Sequence, residues 1–270
     1  MQARLPALGA LAVPVICGAA WMAVGGAPAH YVPVNLAALV AALGWTAFGS
    51  APAAKTPRRI LAAVLLVILA APIVTGPVLL SETGEPVSRW IPLGPLALHS
   101  GMLTVPALAV LVARERSLAA PILLAALFFA LLQPDAASGF ALTIAAAGLH
   151  HVSRDWRVGA AAIAGFAAFL VMATRGPLPP QPFVERVVVG AAGEQPVFAL
   201  SLGLALLGSF LLMLFHAPLE RRERFALAGT LFGFAAMATM GAYPSVLIGY
   251  GAAPILGFGL ALGLVTKDTQ

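Results

Sequence analysis

The sequence predicts an all-α, polytopic integral membrane protein with about ten transmembrane helices and both termini in the cytoplasm. Of its 270 residues, 61% are hydrophobic and 9% are charged, whereas a soluble domain carries about 25% charged residues. Apolar runs long enough to cross a membrane recur along the whole chain. The basic residues lie in short clusters between these runs. This pattern is typical of topology signals and excludes the nucleic-acid-binding surface that a net charge of +5 would otherwise suggest.

The predicted helices are apolar segments of roughly 20 residues, the length that crosses a hydrocarbon core of about 30 Å. They cover residues 5–26, 31–50, 60–80, 96–113, 118–133, 136–151, 158–174, 195–216, 225–242 and 246–265. No long polar segment separates them, so residues 1–270 are predicted to form a single transmembrane domain. The first segment, followed by Ala27-Pro28-Ala29, also resembles a cleaved signal peptide. Its length and Trp21 near its end favour a retained helix.

The basic residues distribute unequally between the two predicted sides. Three fall on the non-cytoplasmic side: Arg89, Arg175 and Arg186. The other 12 of the 15 lysines and arginines share the opposite side: Arg4, Lys55, Arg58, Arg59, Arg114, Arg116, Arg154, Arg157, Arg221, Arg222, Arg224 and Lys267. Because cytoplasmic loops are enriched in lysine and arginine, this asymmetry favours ten spans with both ends in the cytoplasm. The run at 220–224 is most simply a topology anchor, and binding of anionic lipid is the lesser alternative.

Small residues are expected to mediate helix packing, since hydrophobicity does not draw helices together in lipid. Gly229 with Gly233, and Gly259 with Gly263, have the Gly-x-x-x-Gly spacing. We expect these pairs to form close contacts within one bundle, with dimerisation as the lesser alternative.

The segment at 81–95, between the third and fourth predicted helices, has the composition of an ordered loop at the membrane surface. It contains two acids, three prolines, and Arg89 beside Trp90. Proline cannot occupy a regular helix interior, and tryptophan beside arginine is typical of a membrane interface. A second ordered loop is predicted at 175–194, which begins with several prolines. We expect the two loops to cover one outward-facing cavity suited to a phosphate-bearing lipid.

Asp135 and Glu194 lie on the non-cytoplasmic side, where two predicted helices begin. A charge at the middle of a bilayer costs about 2.5–3.5 kcal/mol, so membrane carboxylates usually face a cavity or a partner. For Asp135 the simpler interpretation is a helix N-cap that accepts bonds from the amides of residues 137–138. For Glu194 it is an interfacial ion pair with Arg186 or Arg175.

No pattern indicates a metal, a cofactor or an enzymatic nucleophile. The chain has one cysteine, Cys17, and five histidines without a His-x-x-x-His pair. It contains no glycine-rich phosphate loop and no serine in a nucleophile elbow. We therefore predict neither a metal site nor a cofactor.

Three stretches resemble motifs of the FtsW/RodA-like SEDS family (shape, elongation, division and sporulation). Residues 89–95, Arg-Trp-Ile-Pro-Leu-Gly-Pro, resemble its R-W-I-x-L-G-P loop. Residues 132–135, Leu-Gln-Pro-Asp, resemble its Q-P-D turn, and residues 244–251 resemble its P-x-P-F-x-S-Y-G-G segment before the last helix. The motifs occur in the same order, and the resemblance spans roughly residues 60–265.

The resemblance implies a multi-pass protein of the bacterial inner membrane. Family members are peptidoglycan glycosyltransferases that polymerise a lipid-linked disaccharide, usually beside a transpeptidase partner. Glu185 and Glu194 are the candidate catalytic bases, because transfer to a hydroxyl needs a group that accepts its proton. The residues expected to bind substrate are Arg89, Trp90, Gln133, Asp135, Arg175, Arg186 and Tyr250.

The sequence departs from the family at two places. The family continues after its first motif with Q-P-S-E-x-x-K, whereas here Met102 and Val105 occupy the glutamate and lysine positions. The family's large outer loop with its essential aspartate is shortened here to 175–194, which contains no aspartate.

Three functions follow from these observations. The first is a SEDS-like protein of peptidoglycan synthesis, cell division or cell shape that binds or processes a polyprenyl-linked glycan, including as a degenerate glycosyltransferase. The second is a non-catalytic membrane scaffold for a cell-wall synthesis partner. The third is a transporter or flippase of a lipid-linked substrate. No predicted helix carries a charge at mid-depth and no inverted repeat is evident, which speaks against a transporter.

Overall fold

Helices make up most of the computed structural model, which describes residues 2–94 and 96–266. Pro95, in the predicted loop, and Lys267, among the predicted cytoplasmic cations, lie outside these residues. Each of ten helices overlaps one predicted segment. They are α1 (Leu5–Val24), α2 (Tyr31–Phe48), α3 (Lys55–Ala70), α5 (Ser100–Arg114), α6 (Ala119–Leu132), α7 (Ala136–Ser153), α8 (Trp156–Arg175), α10 (Pro196–Phe215), α11 (Arg221–Met240) and α12 (Ala252–Gly263), with shorter helices at α4 (Pro72–Thr75) and α9 (Val187–Glu194) and a 3-10 turn at Gln2–Arg4.

Five helical stretches in the described part of the chain are long and apolar enough to cross a membrane: Gln2–Val24, Tyr31–Phe48, Lys55–Thr75, Trp156–Arg175 and Pro196–Phe215. Helices α5, α6 and α12 are apolar but shorter. The chain is thus a helical membrane protein, while the count of ten spans stays a prediction.

Helix boundaries differ from prediction where the backbone cannot continue a helix. The third helix ends before Pro72, whose ring clashes with the preceding turn and which begins the short helix α4. The fourth begins at Ser100, because residues 96–99 form a strand. The tenth begins only at Ala252, after Leu247 at φ 61° and Gly251 at φ 151°. These dihedrals lie outside the right-handed helical region.

The predicted loop at 81–95 belongs to two antiparallel β-hairpins. Strand β1 (Leu79–Leu80) pairs with β2 (Pro86–Val87), and β3 (Trp90–Leu93) pairs with β4 (Leu96–His99). Gly94, which follows β3, has φ 60°, a conformation that glycine adopts without strain. As expected, this proline-rich segment does not form a helix. The two hairpins order it instead.

Small residues allow close helix contacts within this one chain. A Cβ atom at Gly233 of α11 would lie 2.5 Å from the Cα atom of Ala141 in α7, and one at Gly229 would lie 2.8 Å from the Ile144 carbonyl oxygen. The second Gly-x-x-x-Gly pair lies against α2 in the same way. Both pairs are covered inside the bundle, which confirms the intramolecular interpretation and leaves neither face free for dimerisation.

Ion pairs join helix ends at one end of the bundle, which we call the cationic end. Arg114 of α5 makes two hydrogen bonds of 2.7 and 3.0 Å to the Glu223 carboxylate of α11. Arg59 of α3 donates to Glu115 at 3.0 Å. Arg4 donates to backbone carbonyls at the end of α2. The predicted cytoplasmic cations that make these bonds thus share one end, although the membrane side of that end stays a prediction.

The run at 220–224 stabilises this end. Glu220 and Glu223 form a reciprocal capping box at the start of α11. Arg222 pairs with Glu220 at 3.2 Å, and Arg224 donates to the Phe215 carbonyl. The run therefore serves as a helix cap and a link to α5 and α10.

The outer surface of the bundle is apolar. Helix α10 exposes Val197, Leu200, Leu204 and Leu207, each by more than half of its surface. Helix α8 exposes Ile163 and Leu170 similarly. Such a surface suits contact with lipid chains, since exposed apolar patches of this extent are rare in soluble monomers.

Candidate functional site at the hairpin end

The two predicted loops meet at the end of the bundle that carries both hairpins, called here the hairpin end. The Glu82 amide donates to the Pro177 carbonyl at 3.1 Å. Arg175 Nη2 lies 3.2 Å from Glu85 Oε2. These contacts show that the loops lie together. Among the described residues, however, the first loop contributes nothing to the lining of the groove described next, so a single cavity covered by both loops stays a prediction.

A groove of 560 Å³ opens between the second loop and the end of α1. We call it the 180–194 groove. Its charged lining residues are Glu185, Arg186 and Glu194, and its aromatic ones are Trp21 and Phe183. The two aromatic rings lie 6.1 Å apart between centroids. The groove thus combines acids, a cation and apolar surface, as small-molecule sites commonly do.

Backbone contacts hold Glu185 in place. Its Oε2 atom accepts a hydrogen bond of 2.7 Å from the Gln181 amide. The residue bridges to Pro244, and the neighbouring Val184 carbonyl accepts a bond of 2.8 Å from the Ser245 amide. Burial raises the pKa of the Glu185 carboxyl to about 7 and outweighs the amide hydrogen bonds that lower it. A carboxyl with this pKa can accept or give a proton near neutral pH.

The position and the contacts of Glu194 differ from the prediction. It ends the short helix α9 instead of beginning the next long one, since Pro196 starts α10. Neither Arg186 nor Arg175 pairs with it: among the described residues Arg175 pairs with Glu85, and Glu194 shows no ion pair. It lines the groove as an exposed carboxylate instead.

Arg89 does not face an outward cavity as expected. It is only 1% exposed, donates to the Pro134 and Gly176 carbonyls, and lies 5.0 Å from the centroid of the Tyr243 ring. Its guanidinium group joins the hairpin to the α6–α7 turn and to the end of α8 through these hydrogen bonds. Arg89 therefore orders the loops from inside.

Asp135 and Gln133 belong to the same buried cluster. Asp135 is fully buried, and its Oδ1 accepts from the Ser138 amide at 3.1 Å, which confirms the predicted helix cap at that amide. Its Oδ2 lies 3.7 Å from His99 Nε2. Gln133 donates to the Leu69 carbonyl and accepts from Ser100. These side chains hold helix ends together and do not line the groove.

Trp90 lies beside this cluster. It is half-buried in β3, opposite His99, with the rings edge to face and their centroids 5.6 Å apart. Its contacts therefore stabilise the hairpin. His99 and Tyr243 were missed by the sequence analysis, since no local pattern marks them.

Tyr250 stands at the surface of the hairpin end. Its ring stacks on Tyr31 at 3.6 Å between centroids and an interplanar angle of 6°. Its amide donates to the Phe183 carbonyl at 2.7 Å, which places it next to the 180–194 groove. Tyr31, like Trp21 and Phe183, gave no signal in the sequence, because its role depends on contacts between distant segments.

Met102 and Val105, which stand where the family that the motifs resemble has glutamate and lysine, are fully buried. The Met102 carbonyl lies against Gly257 of α12 so closely that a Cβ atom there would be 2.2 Å from it. The packing of α5 against α12 therefore fills the space at Met102.

Comparison with known proteins identifies the architecture. No family model and no curated protein matches the sequence. Among solved structures, the rod shape determining protein RodA of Thermus thermophilus is similar with a TM-score of 0.58 and 20% sequence identity, over 94% of this chain and 93% of that one. An alanine point mutant of the same protein gives a TM-score of 0.61 at 20% identity, over 94% of both chains. The chain therefore has the fold of RodA.

Proposed function

We propose that this chain is a SEDS-family protein of the bacterial inner membrane that acts in cell-envelope synthesis, with the 180–194 groove as its site for a polyprenyl-linked glycan. The observation that carries the proposal is the groove itself on a RodA-like fold. The groove combines a carboxyl with a pKa near 7, an arginine and an aromatic wall at the hairpin end. The expected partners are membrane lipid and a transpeptidase-type membrane protein.

The groove supplies the groups that glycosyl transfer needs. In that reaction a sugar hydroxyl attacks the anomeric carbon of a second sugar, the new C–O bond forms, and the bond to the pyrophosphate breaks. Glu185 would accept the hydroxyl proton, with Glu194 as the second candidate base. Arg186 would stabilise the departing pyrophosphate. Arg175, which pairs with Glu85 and does not belong to the groove lining, stays a proposed second cation. Arg89 would act by ordering both loops, and the predicted contacts of Trp90, Gln133, Asp135 and Tyr250 with substrate stay proposals.

A non-catalytic scaffold is the second candidate. It is favoured by Met102 and Val105, which fill the core where the family has an acid and a base. A scaffold would use the same fold to hold a cell-wall synthesis partner and would not need Glu185.

Ligand binding tests the proposal first. Native mass spectrometry of the detergent-purified protein is expected to show a co-purifying polyprenyl-pyrophosphate glycan, reduced in Arg186→Ala and unchanged in Arg116→Ala at the cationic end. A glycan-free protein that retains a transpeptidase-type partner would favour the scaffold. A protein with neither would contradict both.

Polymerisation of a lipid-linked disaccharide by the purified protein tests catalysis. A general base works only when deprotonated, so the rate is expected to rise with pH and level off above about 7. Glu185→Gln is expected to lower the rate by about 100-fold or more. Glu82→Gln, an exposed acid outside the groove, is the control. Equal rates in both variants would exclude Glu185 as the base.

A further inference from the structure

We propose that His30, Tyr31 and Tyr250 form an aromatic platform that binds a pyranose ring of a glycan. This inference rests on the proposed function, since the platform would hold the sugar of a ligand whose phosphate lies in the 180–194 groove. Its chemistry can be tested with a soluble sugar that carries no phosphate and no lipid.

The three rings form one compact surface. Tyr31 and Tyr250 are stacked in parallel at 3.6 Å, and His30 meets both edge to face, at 4.8 and 5.7 Å between centroids. These three distances place the imidazole beside the stack, so it covers neither outer ring face. His30 is exposed, and both tyrosines are partly exposed.

A buried side chain fixes this stack. Asn35 lies one helical turn after Tyr31 on the same face of α2 and is 1% exposed. Its Nδ2 donates to the Gly249 carbonyl at 2.9 Å, and its Oδ1 accepts from the Gly251 amide at 3.0 Å. One amide group therefore clamps the backbone on both sides of Tyr250.

The clamped loop is also joined to the groove. The Tyr250 amide donates to the Phe183 carbonyl at 2.7 Å, and the Phe183 ring lines the groove beside Glu185. Gly251, at φ 151°, adopts a conformation that side chains disfavour. One backbone hydrogen bond thus joins the platform to the loop that lines the groove.

The ligand class follows from the chemistry of the rings. The face of an aromatic ring is electronegative, and the axial C–H groups of a pyranose carry a partial positive charge and lie on one flat face. The three platform residues carry no acid and no permanent cation, so they suit a neutral sugar better than a phosphate. The tyrosine hydroxyls and the imidazole can exchange hydrogen bonds with sugar hydroxyls.

Saturation-transfer difference NMR with tetra-N-acetylchitotetraose tests the platform on the full chain in nanodiscs. We expect saturation transfer to the sugar-ring protons. Tyr250→Ala and Tyr31→Ala should weaken binding by about 3- to 10-fold, the loss of one stacking contact. Tyr250→Phe keeps the ring and should retain most of the binding. Phe48→Ala, an 85% exposed aromatic near the cationic end, is the matched control.

Two further variants separate the possible causes. Asn35→Ala is expected to weaken sugar binding without changing which sugar protons receive saturation, since Asn35 positions Tyr250 and does not touch the sugar. Glu82→Gln, which changes an exposed acid outside both the platform and the groove, should leave sugar binding intact. An absence of saturation transfer in the wild type, or equal binding in the tyrosine-to-alanine variants, would overturn the proposal even if the groove binds its lipid pyrophosphate.

Discussion

At the scale of single residues, the sequence motif identified Arg89 as important, but the structure gives this residue a different position from the expected one. Its position beside Trp90 indicated the membrane interface, and the family resemblance implied that it binds substrate. In the structure the guanidinium is buried, and its hydrogen bonds join three segments of the hairpin end. A planar group with several fixed donors suits this role, because it reaches two carbonyls at once.

Replacing Arg89 is expected to destabilise the protein. Arg89→Met removes two charge-assisted hydrogen bonds and leaves two buried carbonyls without that donor, at a cost of about 3 kcal/mol. The melting temperature in detergent should fall by roughly 6–12 °C. Arg89→Lys should recover only part of this loss, because an ammonium group keeps a donor but loses the planar contact with the Tyr243 ring.

Arg175→Met provides the matched control for that measurement. Arg175 also joins the two loops, but its ion pair with Glu85 is about half exposed on both sides. Exposed ion pairs contribute about 0–1 kcal/mol, so its melting temperature should change by a few degrees at most. Equal shifts in the two arginine variants would contradict the assigned role of Arg89.

At the scale of elements, apolar length and prolines predicted where helices lie, but not how the loops fold. All ten predicted segments correspond to helices, because a run of apolar residues in lipid must satisfy its backbone internally. The two hairpins and the short helix α9 were not predicted. Strands of two to four residues carry too little periodicity to recognise, and they are stabilised by contacts with distant segments.

The contact between α7 and α11 depends on the absence of side chains. Gly233→Ala would place a Cβ atom 2.5 Å from the Cα atom of Ala141, so the helices must separate. Overpacking of this kind costs about 1–3 kcal/mol, and the melting temperature should fall by roughly 2–12 °C.

Gly203→Ala in α10 is the control for this helix contact, because nothing lies within 4 Å of its added Cβ atom. Alanine favours a helix over glycine by about 1 kcal/mol, so this variant should be as stable as the wild type or more so. If Gly233→Ala were as stable as Gly203→Ala, the α7–α11 contact would tolerate the added Cβ atom and the expectation would be wrong.

At the scale of the whole molecule, the sequence predicted the fold class and the meeting of the two loops. It also named Glu185, Arg186 and Glu194, which do line one groove. It did not predict that Trp21 from the first helix completes this groove, or that Tyr31 stacks on Tyr250. Those contacts join segments far apart in the chain, and a single sequence carries no local signal for them. Arg89, Gln133 and Asp135 were named as substrate-binding residues, but the structure buries them together in one cluster outside the groove lining, and their contact with substrate stays a prediction.

At this scale, the distribution of lysine and arginine predicts the orientation of the whole bundle in the membrane. The cationic end should face the cytoplasm and the hairpin end the opposite side. In a Cys17→Ser background, Glu82→Cys and Gln181→Cys place a thiol at exposed positions of the hairpin end, and Lys55→Cys and Arg116→Cys place one at the cationic end. A membrane-impermeant maleimide should label the first pair in intact spheroplasts and the second pair only after permeabilisation. Labelling of both ends in intact spheroplasts would indicate mixed orientation, and the reversed pattern would invert the topology and place the groove in the cytoplasm.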